Sequence, residues 1–243
     1  MEVVKLSKEI TGKINNIFLS IDGEVNFIGQ GLWSIFVRFA GCQANCSYCD
    51  TEYTKGAGVG VDMTVDEVYE KIQKLTEFNG LNKITITGGE PFEQLDFLTE
   101  LTNKLLQDNF YVSIETNGLH DVSILKRNID YVVNLGLVVD WKMPSSGNFD
   151  RNATSFLIRC FGINDYLKFV IADFRDFCTA LQMVERIKIE TDRRFTNIFF
   201  SPCTGRLSPL TLYKWIKEAD ETDIGINLQL HKYIFDNVRD EEN

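Results

Sequence analysis

Cys42, Cys46 and Cys49 fall within one short run, Cys42-Gln-Ala-Asn-Cys46-Ser-Tyr-Cys49. Thiolates are soft ligands that suit iron–sulfur clusters and zinc, and a short loop lets them reach one centre together. Structural zinc sites are closed and four-coordinate, so a zinc reading needs a fourth ligand. The histidines, His120 and His231, are distant in sequence, which does not exclude them. A 4Fe–4S cluster held by only three protein ligands keeps one iron open to a substrate or cofactor. Free thiols rarely crowd in this way without a ligand or redox role, and the ligand logic favours the cluster over zinc. Cys160 and Cys178 stand in apolar stretches and read as core packing, whereas Cys203 follows a strand with no thiol at cluster spacing.

The elements that position these residues alternate in type. Trp33 to Phe39 (WSIFVRF) leads into the cysteine loop, Lys83 to Thr87 (KITIT) ends in Gly88-Gly89, and Phe110 to Glu115 (FYVSIE) ends in Thr-Asn-Gly. Further strand signals are the apolar run within Tyr131 to Asp140, then Leu167 to Ile171, Asn197 to Phe200 and Ile224 to Leu230. Helical periodicity predicts helices over Thr64 to Phe78, Glu93 to Asp108, Phe174 to Thr191 and Pro209 to Ala219, with Thr64 and Glu67 spaced as a capping box. The strip from Ser145 to Asn164 reads as part loop and part helix.

Such alternation predicts a mostly parallel sheet with crossover helices. Ligands bind at the carboxyl ends of strands in barrels and open α/β sheets alike, and the polar signals all follow strands. They therefore converge on one mouth. About seven strands are fewer than a full eight-stranded barrel needs, so the fold class is α/β, a partial (β/α) barrel. The 243 residues fit a single domain, with no Pro/Gly/Ser-rich linker and no repeat, and the acidic tail from about residue 236 reads as disordered.

A net charge of −10 argues against general nucleic-acid binding, which needs clustered Lys and Arg. No apolar run is long enough to span a bilayer, and the start lacks a signal-sequence pattern. A cytoplasmic location with no membrane association is the expectation, and it suits thiols that serve as metal ligands rather than disulfides.

The Cys42-x3-Cys46-x2-Cys49 spacing with Tyr48 before the last cysteine, followed by Gly88-Gly89-Glu90-Pro91, resembles the radical S-adenosylmethionine (SAM) superfamily. That resemblance implies a 4Fe–4S cluster on the three cysteines, with SAM on the open iron. An electron from the reduced cluster then cleaves SAM to a 5′-deoxyadenosyl radical. The lack of a Cβ at Gly88 and Gly89 suits close backbone approach to SAM. Ile21-Asp22-Gly23-Glu24, Phe36-Val37-Arg38, Cys49-Asp50-Thr51, Glu115-Thr-Asn-Gly118, Asp140-Trp141-Lys142-Met-Pro-Ser-Ser146 and Gln229-Leu-His231-Lys-Tyr233 occur in that order. Together they resemble the 7-carboxy-7-deazaguanine synthase family, from about Ile17 to Tyr233. The resemblance implies a lyase that contracts 6-carboxy-5,6,7,8-tetrahydropterin to 7-carboxy-7-deazaguanine with loss of ammonia, on the route to queuosine and archaeosine.

The same resemblance implies the roles. Tyr48, Cys49, Asp50, Gly89, Asp140, Trp141 and Lys142 match SAM contacts, and Ser201, Pro202, Cys203 and Thr204 occupy the place of a later SAM-binding loop. Ile21, Asp22, Gly23, Arg38 and Thr87 match substrate positions, and Thr51 matches a Mg2+ ligand. No catalytic residue is implied beyond the cluster and SAM. The implied partners are the small pterin, an electron donor of flavodoxin or ferredoxin type and, as a homodimer, a second copy. Arg38 suits a carboxylate and equally a structural ion pair; Thr51 offers the hard oxygen magnesium accepts and is equally a turn residue. Glu115 and His231 read evenly as ligand contacts or structural groups.

Two positions depart from the family. Asp22 stands where glutamine is usual and Val25 where a second glycine is usual. Ionised aspartate only accepts hydrogen bonds, so a side-chain contact here would differ, while a backbone contact would not. The rival readings are a glycyl-radical-enzyme activase, which shares the cluster spacing but acts on a protein, and a non-catalytic iron–sulfur or zinc binder.

Overall fold

The structure, a computed structural model, describes residues 9–56, 58–130, 132–152, 160–192 and 197–235. Among the described residues, nine strands form one sheet: β1 Thr11–Ile21, β2 Trp33–Phe39, β3 Val61–Thr64, β4 Lys83–Gly88, β5 Tyr111–Thr116, β6 Leu135–Trp141, β7 Tyr166–Ile171, β8 Ile198–Pro202 and β9 Gly225–Ile226. The helices among them are α1 Val65–Asn79, α2 Leu95–Gln107, α3 Ser123–Arg127, α4 Phe174–Glu190, α5 Pro209–Glu218 and α6 His231–Ile234.

The sheet order is β3-β1-β2-β4-β5-β6-β7-β8-β9. From β2 to β9 every pairing is parallel and follows chain order. Parallel neighbours joined through crossovers, which are right-handed in such units, curl the sheet progressively into a partial barrel. Each strand then delivers its carboxyl end to the same rim. The strands β1 and β3 extend this array antiparallel to their neighbours. Sequence periodicity does not predict either of them. In β1 the polar pair Asn15-Asn16 breaks the alternation, and the pairing register to β2 shifts between Ile14 and Asn16.

Strands β4 and β7 are buried along most of their length, as parallel strands covered on both faces are, and they read as short β-branched and aromatic runs. Phe39, Phe97, Phe169 and Phe200 are fully buried in the core with Ile35, Leu98 and Leu101. Thr64 and Glu67 form the predicted capping box, each side chain bonded to the other's backbone N–H at 3.2 and 2.8 Å. Gly80 ends α1 in the left-handed region, φ 64°. Asp173 and Ser208 cap α4 and α5, with Pro209 opening the latter.

Two expectations need correction. The predicted strand over Ile224 to Leu230 shrinks to Gly225–Ile226. Asn227 N–H bonds Phe200 O of β8 at 2.9 Å, and beyond it the chain turns to the β1–β2 connection, Asn227 Oδ1 accepting from Val25 N–H at 3.0 Å and Leu230 N–H donating to Gly23 O at 2.8 Å. Cys178 is exposed rather than core-packed. The buried stripe of α4 runs through Phe177, Ala180, Val184 and Ile187, and Cys178 falls off it. The strip after Ser145 is built from 3-10 turns at Pro144–Ser146 and Phe149–Arg151, and its remainder over 153–159, like the tail from 236, lies outside the described residues. Among the described residues no helix is long and apolar enough to cross a membrane.

Candidate active site

The cysteine loop leaves β2 after the fully buried Phe39 and folds back over the carboxyl rim. Gly41 N–H donates to Thr54 O at 2.8 Å, and Cys49 N–H to Cys46 O at 3.2 Å. Neighbouring strand ends fasten it from outside. Ser47 N–H donates to Ser146 O at 3.2 Å and its hydroxyl to Ser145 O at 2.7 Å, while Arg206 donates to Ser47 O at 2.7 Å and Arg151 to Gln43 O at 3.3 Å. Cys42, Cys46 and Cys49 are half-buried free thiols facing one cavity of about 580 Å3. Among the described residues no three His, Cys, Asp or Glu side chains converge as a single metal ion requires. A four-iron cluster spaces its thiolates more widely than a single ion does.

The Gly88-Gly89-Glu90 turn lies against this loop. Gly89 N–H donates to Phe39 O at 2.9 Å and Glu90 N–H to Gly41 O at 2.7 Å. A Cβ on Gly89 would sit 1.8 Å from the Gly41 carbonyl oxygen, so this glycine is demanded by the crossing of two backbones as well as by any ligand. Glu90 is fully buried and ties the ends of β4 and β5 together. Its carboxylate accepts from Phe92 N–H at 3.0 Å, Thr116 Oγ1 at 2.8 Å and Asn117 N–H at 2.7 Å. Burial outweighs these donors and pushes its carboxyl up to about 7.

The cavity floor is charged. Glu24 and Lys168 form a buried ion pair, and Gln229 donates to Glu24 at 2.7 Å. Burial alone would raise the Glu24 carboxyl, but the adjacent Lys168 ammonium holds it below the ordinary range. Burial likewise opposes charge on Lys168, yet Glu24, Asp140 and Glu115 keep its pKa raised. Thr87 donates to Glu115 at 2.6 Å, and the Glu115 carboxyl is raised by burial and then by Glu24. The Arg38 guanidinium lies 5.5 Å from the Phe18 ring centre and 5.9 Å from that of Tyr53.

Nearer the thiols, Lys142 donates to Asp140 Oδ2 at 2.7 Å. Asp140 Oδ1 and the Tyr48 hydroxyl are buried with no hydrogen-bond partner, and both residues face the cavity. Burial, then Asp140, raises the Tyr48 phenol, so it remains a donor. A buried unpaired acceptor and donor are costly, about 1–3 kcal/mol each, unless a ligand satisfies them. These two orphans beside three thiols fit a polar cofactor seated on a thiolate-bound cluster.

Most residues predicted for the site face this cavity. Ile21, Gly23, Arg38, Tyr48, Asp50, Thr51, Thr87, Gly89, Asp140, Lys142, Cys203 and Thr204 line it with the three thiols. The structure draws Asp22, Trp141, Ser201 and Pro202 elsewhere. Trp141 stacks on Phe169 in the core, 6.3 Å between ring centres, and Ser201 Oγ donates to Asn227 O at 3.1 Å, while Pro202 is buried at the end of β8. Asp22 is engaged on every side within the protein. Its N–H donates to Leu32 O and its carbonyl accepts from Gly31, both at 2.7 Å, and Thr85 Oγ1 donates to its carboxyl at 2.9 Å.

Burial, then Glu115, pushes the Asp22 carboxyl up to about 7. A carboxyl raised on folding contributes stability that is complete below the ordinary aspartate range and is lost as pH rises through about 7. The span corresponds to about 4 kcal/mol. Asp22→Asn keeps an oxygen for Thr85 and removes that titration. The variant is expected to lose a clear part of the fall in melting temperature between pH 5 and 8, the other raised carboxyls, Glu90 and Glu115, supplying the rest. Unfolding curves across that range check it; an unchanged slope would show that Asp22 is already ionised.

Glu24, Lys168, Asn117, Gln229 and Lys232 also line the cavity without having been assigned a role from sequence, and Glu115 and His231 join them. Lys168 had a signal: a lysine inside the apolar strand Leu167 to Ile171 must be paired or functional. His231 packs on Gly23, where a Cβ would lie 1.9 Å from its Nδ1. Around it Leu230 N–H donates to Gly23 O at 2.8 Å and Lys232 pairs with Asp50 at 2.7 Å, so the segment carrying α6 closes one side of the cavity.

Comparison with known proteins agrees with this geometry. Residues 36–141 match the Radical SAM superfamily. A 7-carboxy-7-deazaguanine synthase of Clostridium acetobutylicum is 34% identical over 228 residues, covering 92% of this chain and 96% of that one. One from Leptospira interrogans is 34% identical, covering 93% and 96%. The crystal structure of QueE from Escherichia coli superposes with a TM-score of 0.64 over 90% of this chain and 93% of that chain; at 19% identity this likeness concerns the fold.

Proposed function

Because the chain belongs to the 7-carboxy-7-deazaguanine synthase family, we propose that it converts 6-carboxy-5,6,7,8-tetrahydropterin to 7-carboxy-7-deazaguanine with loss of ammonia. The observation that carries this reading is the meeting of three free thiols, two orphaned polar atoms and a charged floor in one cavity. The family implies a 4Fe–4S cluster and SAM, which when bound supply one-electron chemistry that removes a hydrogen atom from the substrate.

This chain's own residues bind, orient and enclose. Cys42, Cys46 and Cys49 hold the cluster, and Tyr48 and Asp140 offer a donor and an acceptor to SAM beside Gly89, Asp50, Lys142, Cys203 and Thr204. Arg38, permanently cationic and forked, suits the pterin carboxylate. Ile21 and Gly23 with Thr87 flank that end, so the pterin contact in this segment does not need the Asp22 side chain. Trp141, Ser201 and Pro202 support the site through packing and through the Asn227 junction. The small-molecule substrate follows from the family, and the α6 segment, latched by Lys232 to Asp50, walls one side of the cavity that would hold it.

A one-electron donor of flavodoxin or ferredoxin type fits the exposed Asn45 and Ser47 of the cysteine loop, between exposed Arg151 and Arg206. Both arginines bond that loop, and a positive spot on a chain of net charge −10 favours an acidic donor. A homodimer is supported by exposed Trp33, Tyr111 and Val133 at the opposite rim. The deciding experiment is anaerobic incubation of the reconstituted protein with SAM, reductant and the carboxytetrahydropterin. Mass spectrometry should find the deazapurine; SAM cleavage without it would overturn the substrate.

Magnesium belongs to the same reading through Thr51. Its hydroxyl donates to Gly88 O at 3.4 Å and lies 3.7 Å from Cys49 Sγ, facing the cavity. One neutral oxygen holds magnesium weakly, so waters and the substrate carboxylate must complete the shell. Thr51→Ala is expected to keep cluster absorbance and SAM binding and to lose most of the magnesium stimulation of product formation. Unchanged stimulation at saturating substrate would leave Thr51 a turn residue.

A further inference from the structure

Two buried asparagines aim their amide nitrogens at the cysteine sulfurs. Asn117 Nδ2 lies 3.6 Å from Cys42 Sγ, and Asn148 Nδ2 lies 3.6 Å from Cys46 Sγ. They come from different parts of the rim, one following β5 and the other in the turns after β6. The orientation of each amide is fixed by what its oxygen does. Asn117 Oδ1 accepts from Leu119 N–H at 3.0 Å, and Asn148 Oδ1 accepts from Arg151 at 2.9 Å. A flipped amide would set two donors against each other, so the NH2 groups must face the sulfurs.

Their backbones are held as firmly. Glu90 accepts from Asn117 N–H at 2.7 Å, and Ser146 Oγ accepts from Asn148 N–H at 3.0 Å. The amides also share weaker duties, Asn117 with Gln43 Oε1 at 3.2 Å and Asn148 with Ser146 O at 3.2 Å. A third donor, Ala44 N–H, reaches Cys42 Sγ at 3.4 Å. The Cys49 sulfur has a different neighbour, the Thr51 hydroxyl, which points to Gly88 O.

We propose that Asn117 and Asn148 are hydrogen-bond donors to the Cys42 and Cys46 thiolates and raise the reduction potential of the cluster these thiolates hold. The inference rests on the proposed function only in taking the three thiolates as cluster ligands. Reduction adds one electron, and part of its charge falls on the ligating sulfurs. An N–H aimed at sulfur is attracted more strongly to that reduced form, so each bond favours reduction. Burial sharpens the effect, since neither amide is exposed enough for water to replace it as donor. Such outer contacts also orient the ligands, and each asparagine links its sulfur to a different strand end.

The test uses the reconstituted full chain with its cluster and without SAM. Asn117→Leu and Asn148→Leu, each with the same branched heavy-atom shape but with neither the amide donor nor its acceptor, are compared with the unsubstituted protein by iron and sulfide content and by potentiometric titration followed by EPR. Each variant is expected to keep a full cluster and to titrate at a more negative potential, with a larger downward shift in the double variant. A full cluster with unmoved potential in both single variants would overturn the proposal. Where a variant loses its cluster, the unsubstituted protein labelled with 15N at asparagine decides. Pulsed EPR of its reduced cluster should show coupling to side-chain amide nitrogens and to exchangeable protons, and absence of both couplings refutes the donors. Failure of the unsubstituted protein to take up iron and sulfide at all would instead overturn the cluster reading beneath it.

Discussion

Alanine at any one of Cys42, Cys46 or Cys49 is expected to abolish both the 4Fe–4S absorbance and SAM cleavage, whereas alanine at Cys160 or Cys178 leaves both in place. The three thiols line one cavity, and the loop that carries them is bound on both flanks by Ser47, Arg151 and Arg206, so no other thiol can slide into a vacated position. Cys160 packs against the core and Cys178 points to solvent from α4. Cys203 is the informative control, being buried and facing the same cavity. It follows β8, where its N–H is bonded to Ile171 O at 2.8 Å, and this anchors it to a different strand end from the one that carries the cysteine loop. Cys203→Ala should therefore keep the cluster. The measurement is iron and sulfide content with the visible spectrum of each anaerobically reconstituted variant. A full cluster in Cys46→Ala, or its loss in Cys203→Ala, would reassign the ligands.

The parallel part of the sheet was legible because its strands read as short runs rich in β-branched and aromatic residues, set between segments of helical period. Each functional turn also follows such a run: the cysteine loop after β2, Gly-Gly-Glu after β4, Glu-Thr-Asn-Gly after β5. The antiparallel β1 and β3 were not legible. They lie to one side of the parallel strands, and the bulge near Asn15 removes the alternation that marks a half-buried strand. Asp22 shows a second kind of limit. Its place in the chain matches a substrate position, yet its carboxyl turns toward Thr85 and its backbone toward Gly31 and Leu32. Thr85 lies two residues before the cavity-lining Thr87 on the same face of β4, so the Asp22 carboxyl sits beneath the cavity, and nearness to a site in sequence does not say how deep a side chain is placed. Glu24 and Lys168 illustrate the converse. They are 144 positions apart, and only the curl of the sheet makes them a pair.

Lys168→Met is expected to destabilise the protein by about 3–5 kcal/mol, the usual cost of leaving one member of a buried ion pair without its partner. Lys168 neutralises Glu24 directly and acts on Glu115 and Asp140 as well, so its removal leaves three carboxylates around one floor. The pH dependence identifies the cause. In the unsubstituted protein the lowered Glu24 carboxyl contributes stability that is present above the ordinary glutamate range and lost as pH falls through its folded value. Without the ammonium, burial raises the folded value of Glu24 above its unfolded one, and that of Glu115, already raised, moves further up. The sign reverses: stability is complete at acid pH and drains away as pH rises. The gap in melting temperature between variant and parent should thus be widest near pH 8 and narrow toward pH 5. Adding Glu24→Gln, which still accepts from Gln229, should recover much of the loss at pH 8, because the uncompensated charge and not the missing side chain is what destabilises. A variant within about 1 kcal/mol of the parent, the scale of an exposed pair, or a double variant no better than the single one, would mean that water reaches this pair and that the floor of the cavity is not the low-dielectric, pre-charged surface on which the substrate is proposed to rest.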